Sequence, residues 1–271
     1  MPKFLIHPGF HKTGTTSLQS FLNANRQRLA QQDISVYLGP QMGALSLAGR
    51  RYGRNPGPMT LKKFKRSVLG FLDGVDDAGT IVVSRESLAG RMVGDVRDDG
   101  SIVTDYATSA APLLWFLVKA TRNKFGEDTP ITMLFTTRGR DSFLSSAYKH
   151  NLRNRRVVES FGEFEGRFDA KFNLVSEIEK ISEVLNNVDV VARSLEDLTQ
   201  SQFGPGSAIV DLLDLPANVL TQLEKTPPQR VGQSKDINAR LLDLNKSVKD
   251  DGELLKQKRE LLLAVEGIQP D

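Results

Sequence analysis

HPGFHKTGTTS, residues 7–17, sets two glycines, Gly9 and Gly14, five positions apart in a run of hydroxyl-bearing residues. The spacing G-x-x-x-x-G is that of a phosphate-binding loop, in which backbone amides cradle an anion at the start of a helix. In the nucleotide-binding version a lysine and then a Ser/Thr follow the second glycine, and that hydroxyl binds Mg²⁺. Here Thr15 and Thr16 fill those two positions, and the lysine, Lys12, stands two residues before Gly14. The anion cradle is retained while the kinase arrangement of it is given up.

The flanks support the reading. Residues 3–7 (KFLIH) form a short buried strand running into the loop, and from Ser17 onward Leu18, Phe21, Leu22 and Leu29 recur at helix spacing. Residues 34–38 (ISVYL) make a second strand, so strand, glycine loop, helix and strand compose a βαβ unit. Further strands are expected at 80–84, 131–137 and 188–193, with helices at about 112–124 and 140–153 and across 236–266. Residues 39–66 are rich in Gly, Pro and basic side chains, and 39–60 read as a long loop. Alternating strands and helices imply a three-layer α/β/α fold with a mainly parallel sheet and a helical C-terminal part. With no repeats and no clear linker, residues 1–271 read as a single domain.

Composition narrows the function. A hydrophobic fraction of 39% and a charged fraction of 25% are ordinary for a soluble globular protein. The 36 basic residues against 33 acidic leave a net charge of only +3, which gives no reason to expect nucleic acid as a partner. Having no cysteine, the chain has no disulfide, thiolate metal site or Cys nucleophile, and it suits a reducing compartment. Its apolar start is too short for a signal peptide, and its longest apolar stretch, APLLWFLV at 111–118, falls far short of the ~20 residues that span a bilayer. A cytoplasmic location without a transmembrane segment is the expectation.

At the carboxyl end of the first strand, loop amides and a helix N-terminus converge on one anion site, with hydroxyls from Thr13, Thr15, Thr16 and Ser17 and the charge of Lys12. A kinase must also hold Mg²⁺ on a γ-phosphate, using a Ser/Thr and an Asp. Thr16 is available here, but no apolar strand ends in an Asp. A sulfuryl group carries less charge, and a lysine with loop amides can neutralise its leaving oxygen without metal.

HPGFHKTGTTSLQSFL, with its lysine ahead of the second glycine, resembles the 5′-phosphosulfate loop of sulfotransferases that use 3′-phosphoadenosine 5′-phosphosulfate (PAPS), especially bacterial members of the carbohydrate type. The resemblance implies PAPS as co-substrate, no required metal, and a hydroxyl acceptor that is a carbohydrate. It assigns the 5′-phosphosulfate to Lys12, Thr13, Gly14, Thr15, Thr16 and Ser17. RGRDSFLSSAYKHNLRNRRVVESFGEF, starting at residue 138, is similar to a second family segment, in which an arginine and a serine eight apart hold the 3′-phosphate. The resemblance carries that role to Arg138, at a strand end, and Ser146, in the following helix. A guanidinium fork and a hydroxyl are suited to gripping a phosphate. Arg140 has no such assignment.

The strand at 80–84 ends in Ser84-Arg85-Glu86-Ser87, and chemistry in parallel sheets gathers at the carboxyl ends of strands. Glu86 is the candidate general base; alternatively Ser84 caps a helix and Glu86 simply favours its first turn. His11, and less favourably His7, are the other candidates for the base or for a donor to the sulfuryl oxygens. Seven basic residues, Arg50, Arg51, Arg54, Lys62, Lys63, Lys65 and Arg66, form either a solvated face or a recruiting loop for an acidic sugar. PPQRVGQSKDIN, from residue 227, resembles a family segment that carries an asparagine where Gly232 stands, and this makes Arg230 and Ser234 candidates to close over the nucleotide. The competing readings are a Mg²⁺-dependent P-loop kinase or NTPase and a non-catalytic nucleotide- or polyanion-binding protein.

Overall fold

The structure, a computed structural model, describes residues 1–227 and 235–266. Arg230, Gly232 and Ser234 lie outside the described residues. The chain forms two compact units, one from residues 1–140 and 173–229 and the other from residues 141–172 and 230–271.

The first unit opens with β1 (Lys3–His7), α1 (Thr15–Ala24), α2 (Arg26–Ala30) and β2 (Ile34–Tyr37). Next come α3 (Gly43–Arg54), α4 (Pro58–Asp73), β3 (Thr80–Ser84) and a short 3-10 turn at Glu86–Ala89. After α5 (Ala107–Phe125) and β4 (Ile131–Thr137) the chain enters α6 (Arg140–Asn154) and α7 (Phe161–Glu165), which belong to the second unit apart from Arg140. It returns with α8 (Leu174–Ser182), β5 (Asp189–Ser194) and three one-turn helices, α9 (Leu195–Leu198), α10 (Ser207–Val210) and α11 (Ala217–Leu220). The last described elements, α12 (Lys235–Ser247) and α13 (Asp251–Glu266), complete the second unit.

All five strands are parallel, in the order β2-β3-β1-β4-β5. The three central strands are apolar on both faces, which forces helices onto both sides. Leu5, Val82 and Leu134 pack with Leu18, Phe21 and Leu22 of α1 and with Phe203 and Ile209. The alternate residues Phe4, Ile6, Ile81, Val83, Met133 and Phe135 are equally buried, and the Phe4 ring meets Phe125 of α5 at 5.0 Å. This is the expected three-layer α/β/α arrangement. Because β3, β1 and β4 are neighbours, the segments at 7–17, 84–87 and 136–138 emerge side by side.

The expected loop over 39–60 is instead mostly helix. Leu45, Ala48 and Tyr52 of α3 and Phe64, Val68 and Leu72 of α4 are buried at helix spacing, and Pro58 opens α4, where its missing N–H is harmless. Gly49 and Gly53 read as loop punctuation in the sequence, but they serve close packing. A Cβ on Gly49 would lie 2.1 Å from the Ser87 carbonyl oxygen, and one on Gly53 2.5 Å from the Arg91 nitrogen. The seven basic residues of this region therefore stand on two helices and not on a recruiting loop. Similarly, α5 begins five residues ahead of Pro112, because the buried Glu177 carboxylate accepts from the amides of Tyr106 and Ala107 at 2.8 and 2.9 Å.

The second unit is tied by cations on helix ends. Lys258 Nζ donates to the Leu152 and Arg155 carbonyls at 2.7 and 2.6 Å, at the close of α6. Arg156 donates to the Asn245 and Lys249 carbonyls and to Asp251. Phe143, Tyr148, Phe164, Phe168 and Phe172 fill its interior.

Candidate active site at the carboxyl ends of three strands

The glycine loop makes its turn with three left-handed residues, Gly9 (φ 57°), Lys12 (φ 68°) and Gly14 (φ 88°). Gly9 is needed for space as well: a Cβ there would sit 2.8 Å from Thr15 Oγ1 and 3.0 Å from His7 Cε1. Lys12 has no such licence, and a lysine held in this conformation stores strain of the kind that marks functional positions. Gly14 is the N-cap of α1 and makes no side-chain capping bond, and the first turn of the helix carries no acid. Thr15, Thr16 and Ser17 thus present the electropositive end of a ten-residue helix that no side chain of its own neutralises. That terminus and the left-handed bends fit an anionic group.

Arg138 follows β4 and donates from Nη1 to the Lys12 carbonyl at 3.3 Å, so it belongs to the same loop site. Half-buried, its guanidinium is disfavoured as a cation, and Glu196 partly offsets this. The same Glu196 accepts the Gly139 amide at 3.1 Å, which fixes the strand end. Ser146 lies on α6 in the second unit, half-buried.

Beneath the loop runs a row of buried polar groups with one proton order. Thr13 Oγ1 donates to the Phe10 carbonyl at 2.7 Å, so in its 2.8 Å contact with Thr136 the donor is Thr136. His7 Nε2 must then carry its proton toward Thr136, at a long 3.5 Å, and Nδ1 accepts from Ser84 Oγ at 2.8 Å. Gln19 Nε2 donates to Ser84 Oγ at 3.4 Å and to the Ser84 carbonyl at 3.2 Å. His7 is fully buried, and burial lowers its pKa from 6.5 to about 4, against a weaker opposite pull from Glu86. A neutral ring with one proton placed between two hydroxyls is a structural element, so His7 is set aside as a base.

Glu86 stands at the start of the 3-10 turn after β3, next to this row. Its Oε2 accepts from Gln19 Nε2 at 3.1 Å, and Arg85 lies 3.9 Å away. Burial pushes its carboxyl up, but His11, a backbone N–H, Arg85 and Gln19 together outweigh burial and hold it below the ordinary 4.5. Ser84 gives Glu86's turn no capping bond; its hydroxyl is engaged by His7 and Gln19. The capping alternative therefore loses its cap. His11 is half-buried, its ring parallel to that of Tyr106 at 6.1 Å, and its amide donates to the Tyr106 hydroxyl at 3.1 Å. Burial lowers the His11 pKa while Glu86 and Asp95 pull the other way.

The structure thus brings Arg138 to the loop that carries Lys12, Thr13, Gly14, Thr15, Thr16 and Ser17, and it sets Glu86 against Gln19 and His11 against Tyr106. Sequence reasoning missed Gln19, which orients Glu86, and Tyr106, which packs on Phe10 at 4.3 Å and supports His11. Gln19 sits two residues past the motif, where a polar side chain facing β3 carries no local signal; Tyr106 is reached only through tertiary packing. Among the described residues no helix is long and apolar enough to cross a membrane. Compared with known proteins, the chain matches no family model and no curated protein sequence.

Proposed function

We propose that this protein is a sulfotransferase that moves a sulfuryl group from PAPS to an acceptor hydroxyl, on a carbohydrate. The observation that carries the reading is Lys12, held left-handed in the glycine loop two residues ahead of the helix cap, with Arg138 against its carbonyl. In the kinase-type loop the lysine follows the second glycine, and an acid at the end of a neighbouring strand holds the metal. Here the neighbouring β3 ends in Ser84, opposite His7 in register and bonded to it, and the acid that follows, Glu86, is bonded by Gln19 beside Arg85.

When bound, the donor supplies a sulfur whose bond to the 5′-phosphate oxygen breaks as a bond to the acceptor oxygen forms, leaving 3′,5′-adenosine bisphosphate. Lys12 and the amides of residues 13–17 neutralise the charge that gathers on the departing oxygen. Arg138 holds the 3′-phosphate. Glu86, ionised at neutral pH and aimed by Gln19, takes the proton of the acceptor hydroxyl. His11 serves as a hydrogen-bond donor beside it.

Calorimetric titration tests the reading, using 3′,5′-adenosine bisphosphate without metal beside ATP with Mg²⁺. Metal-free binding of the bisphosphate is the expected result. Binding of ATP with Mg²⁺ alone would restore the kinase reading. Bisphosphate binding with no turnover on any hydroxyl acceptor would favour a non-catalytic nucleotide-binding protein.

A further inference from the structure

Next to the glycine loop the first unit has a pocket of about 300 Å³, formed by one side of α1, the start of α2 and the segments that follow β2 and β3. Its walls include Thr16 and Gln19, Arg26, Gly39 and Gln41, and Arg85. Two of these connect it to the chemistry: Thr16 belongs to the loop, and Gln19 donates to Glu86. Two guanidiniums line the pocket and no carboxylate does.

Both arginines are held by the fold. Arg26 Nη1 donates to the Val36 carbonyl of β2, which fixes its head at the pocket wall. Arg85 lies against Gly39, where a Cβ would come within 2.8 Å of Nη1, so this glycine makes room for the guanidinium. Its Nε is buried without a hydrogen-bond partner, and its nearest acid, Glu86, is 3.9 Å away. With its nearest acid beyond hydrogen-bond distance, a guanidinium that lines the pocket can grip an anion there.

Charge along the adjoining elements has the same sign. Residues 43–73, which form α3 and α4, hold seven basic residues and one acid, a net +6. The whole chain is +3, so the other residues sum to −3. Arg50, Arg51, Lys62, Lys63 and Arg66 are exposed. The chain passes from Gln41 of the pocket directly into α3, and its Gly49 packs on the turn that begins with Glu86. From Gly43 to Arg54 is about 16 Å at the helical rise, the length of a few sugar rings.

We infer that this pocket is the acceptor site and that it selects an anionic saccharide, one bearing a carboxylate or sulfate beside the hydroxyl to be modified. Arg85 and Arg26 grip that anion, Glu86 receives the hydroxyl, and the cations of α3 and α4 hold the continuing chain. The inference rests on the sulfotransferase reading; its own content is the charge of the acceptor and the arginines that read it.

The test is binding of the 271-residue chain, saturated with 3′,5′-adenosine bisphosphate, to immobilised oligosaccharides in matched sets. Each set holds a uronate-containing chain, the same chain after carboxyl reduction, and a sulfated counterpart. Wild type, Arg85→Gln, Arg85→Lys and Arg26→Gln are compared, with bisphosphate affinity and melting temperature measured on each. The expected result is binding to anionic members only, weakened tenfold or more by Arg85→Gln and Arg26→Gln and partly kept by Arg85→Lys, with bisphosphate affinity unchanged. Preference for the uronate over the sulfated chain, or the reverse, identifies the anion. Binding to the neutral chain, no binding to any chain, or binding indifferent to both arginines overturns the inference. Loss of bisphosphate binding in wild type overturns the donor reading, and glycan binding that still depends on Arg85 would leave the anion site standing by itself.

Discussion

Arg138 Nη1 donates to the carbonyl of Lys12 across 126 positions of sequence, fastening the end of β4 to the strained residue of the glycine loop. One arginine thereby supports the conformation of the residue beside it and, in the proposed function, also holds the 3′-phosphate. Arg138→Ala should weaken bisphosphate binding by tenfold or more, since charge-assisted bonds contribute about 1.5–3 kcal/mol. Turnover at saturating donor should fall as well, because Lys12 loses its support. Calorimetry and single-turnover kinetics separate the two effects, and unchanged donor affinity would remove Arg138 from the site.

Lys12 offers a cleaner division between fold and function. A left-handed non-glycine residue costs about 1–2 kcal/mol. Glycine gives back up to about 1 kcal/mol through unfolded-chain entropy, so Lys12→Gly should raise the melting temperature by at most roughly 4 °C while nearly abolishing turnover. Lys12→Ala keeps the strain and should lose activity without the thermal gain. A melting temperature that falls in Lys12→Gly would mean the side chain holds the loop together.

His7 sets a pH dependence. Its folded pKa of about 4 lies below the ordinary 6.5, so between those values the unfolded chain binds more protons than the folded one. Stability should decline as pH falls from 6.5 to 4, by up to roughly 3 kcal/mol. The decline starts above the range in which Glu86, held below 4.5, titrates. Urea denaturation of wild type and His7→Asn across pH 4–7 measures it, and equal slopes in the two proteins would refute the assignment.

Glu86 is ionised by its surroundings, and Gln19 is one cause. Glu86→Gln should lower turnover by roughly 10²–10⁴-fold with little change in donor affinity. Gln19→Leu removes a bond that lowers the Glu86 pKa, so the acid limb of the pH–rate profile should move to higher pH. An unmoved profile with full activity in Glu86→Gln would return the base to His11.

The form of the chain around Lys12 could be read from the sequence alone. Strand, loop and helix around Lys12 are local in sequence, and their apolar periodicity gives their form directly. What escaped is what depends on neighbours. The stretch carrying Gly49 and Gly53 looks like loop because glycine lowers helix propensity, but the helix forms where those residues let it touch the backbone of Ser87 and Arg91. Gln19 and Tyr106 acquire their roles only when β3 and α5 come alongside, and no spacing rule reports that.

The row from Gln19 through Ser84, His7 and Thr136 to Thr13 begins at an amide nitrogen, which only donates, and ends at the Phe10 carbonyl, which only accepts. With both ends fixed, its protons have a single permitted order. The five side chains therefore act as one proton-ordered unit. A change at any one of them alone reverses or breaks that order, and only a second change at a bonded neighbour can restore it.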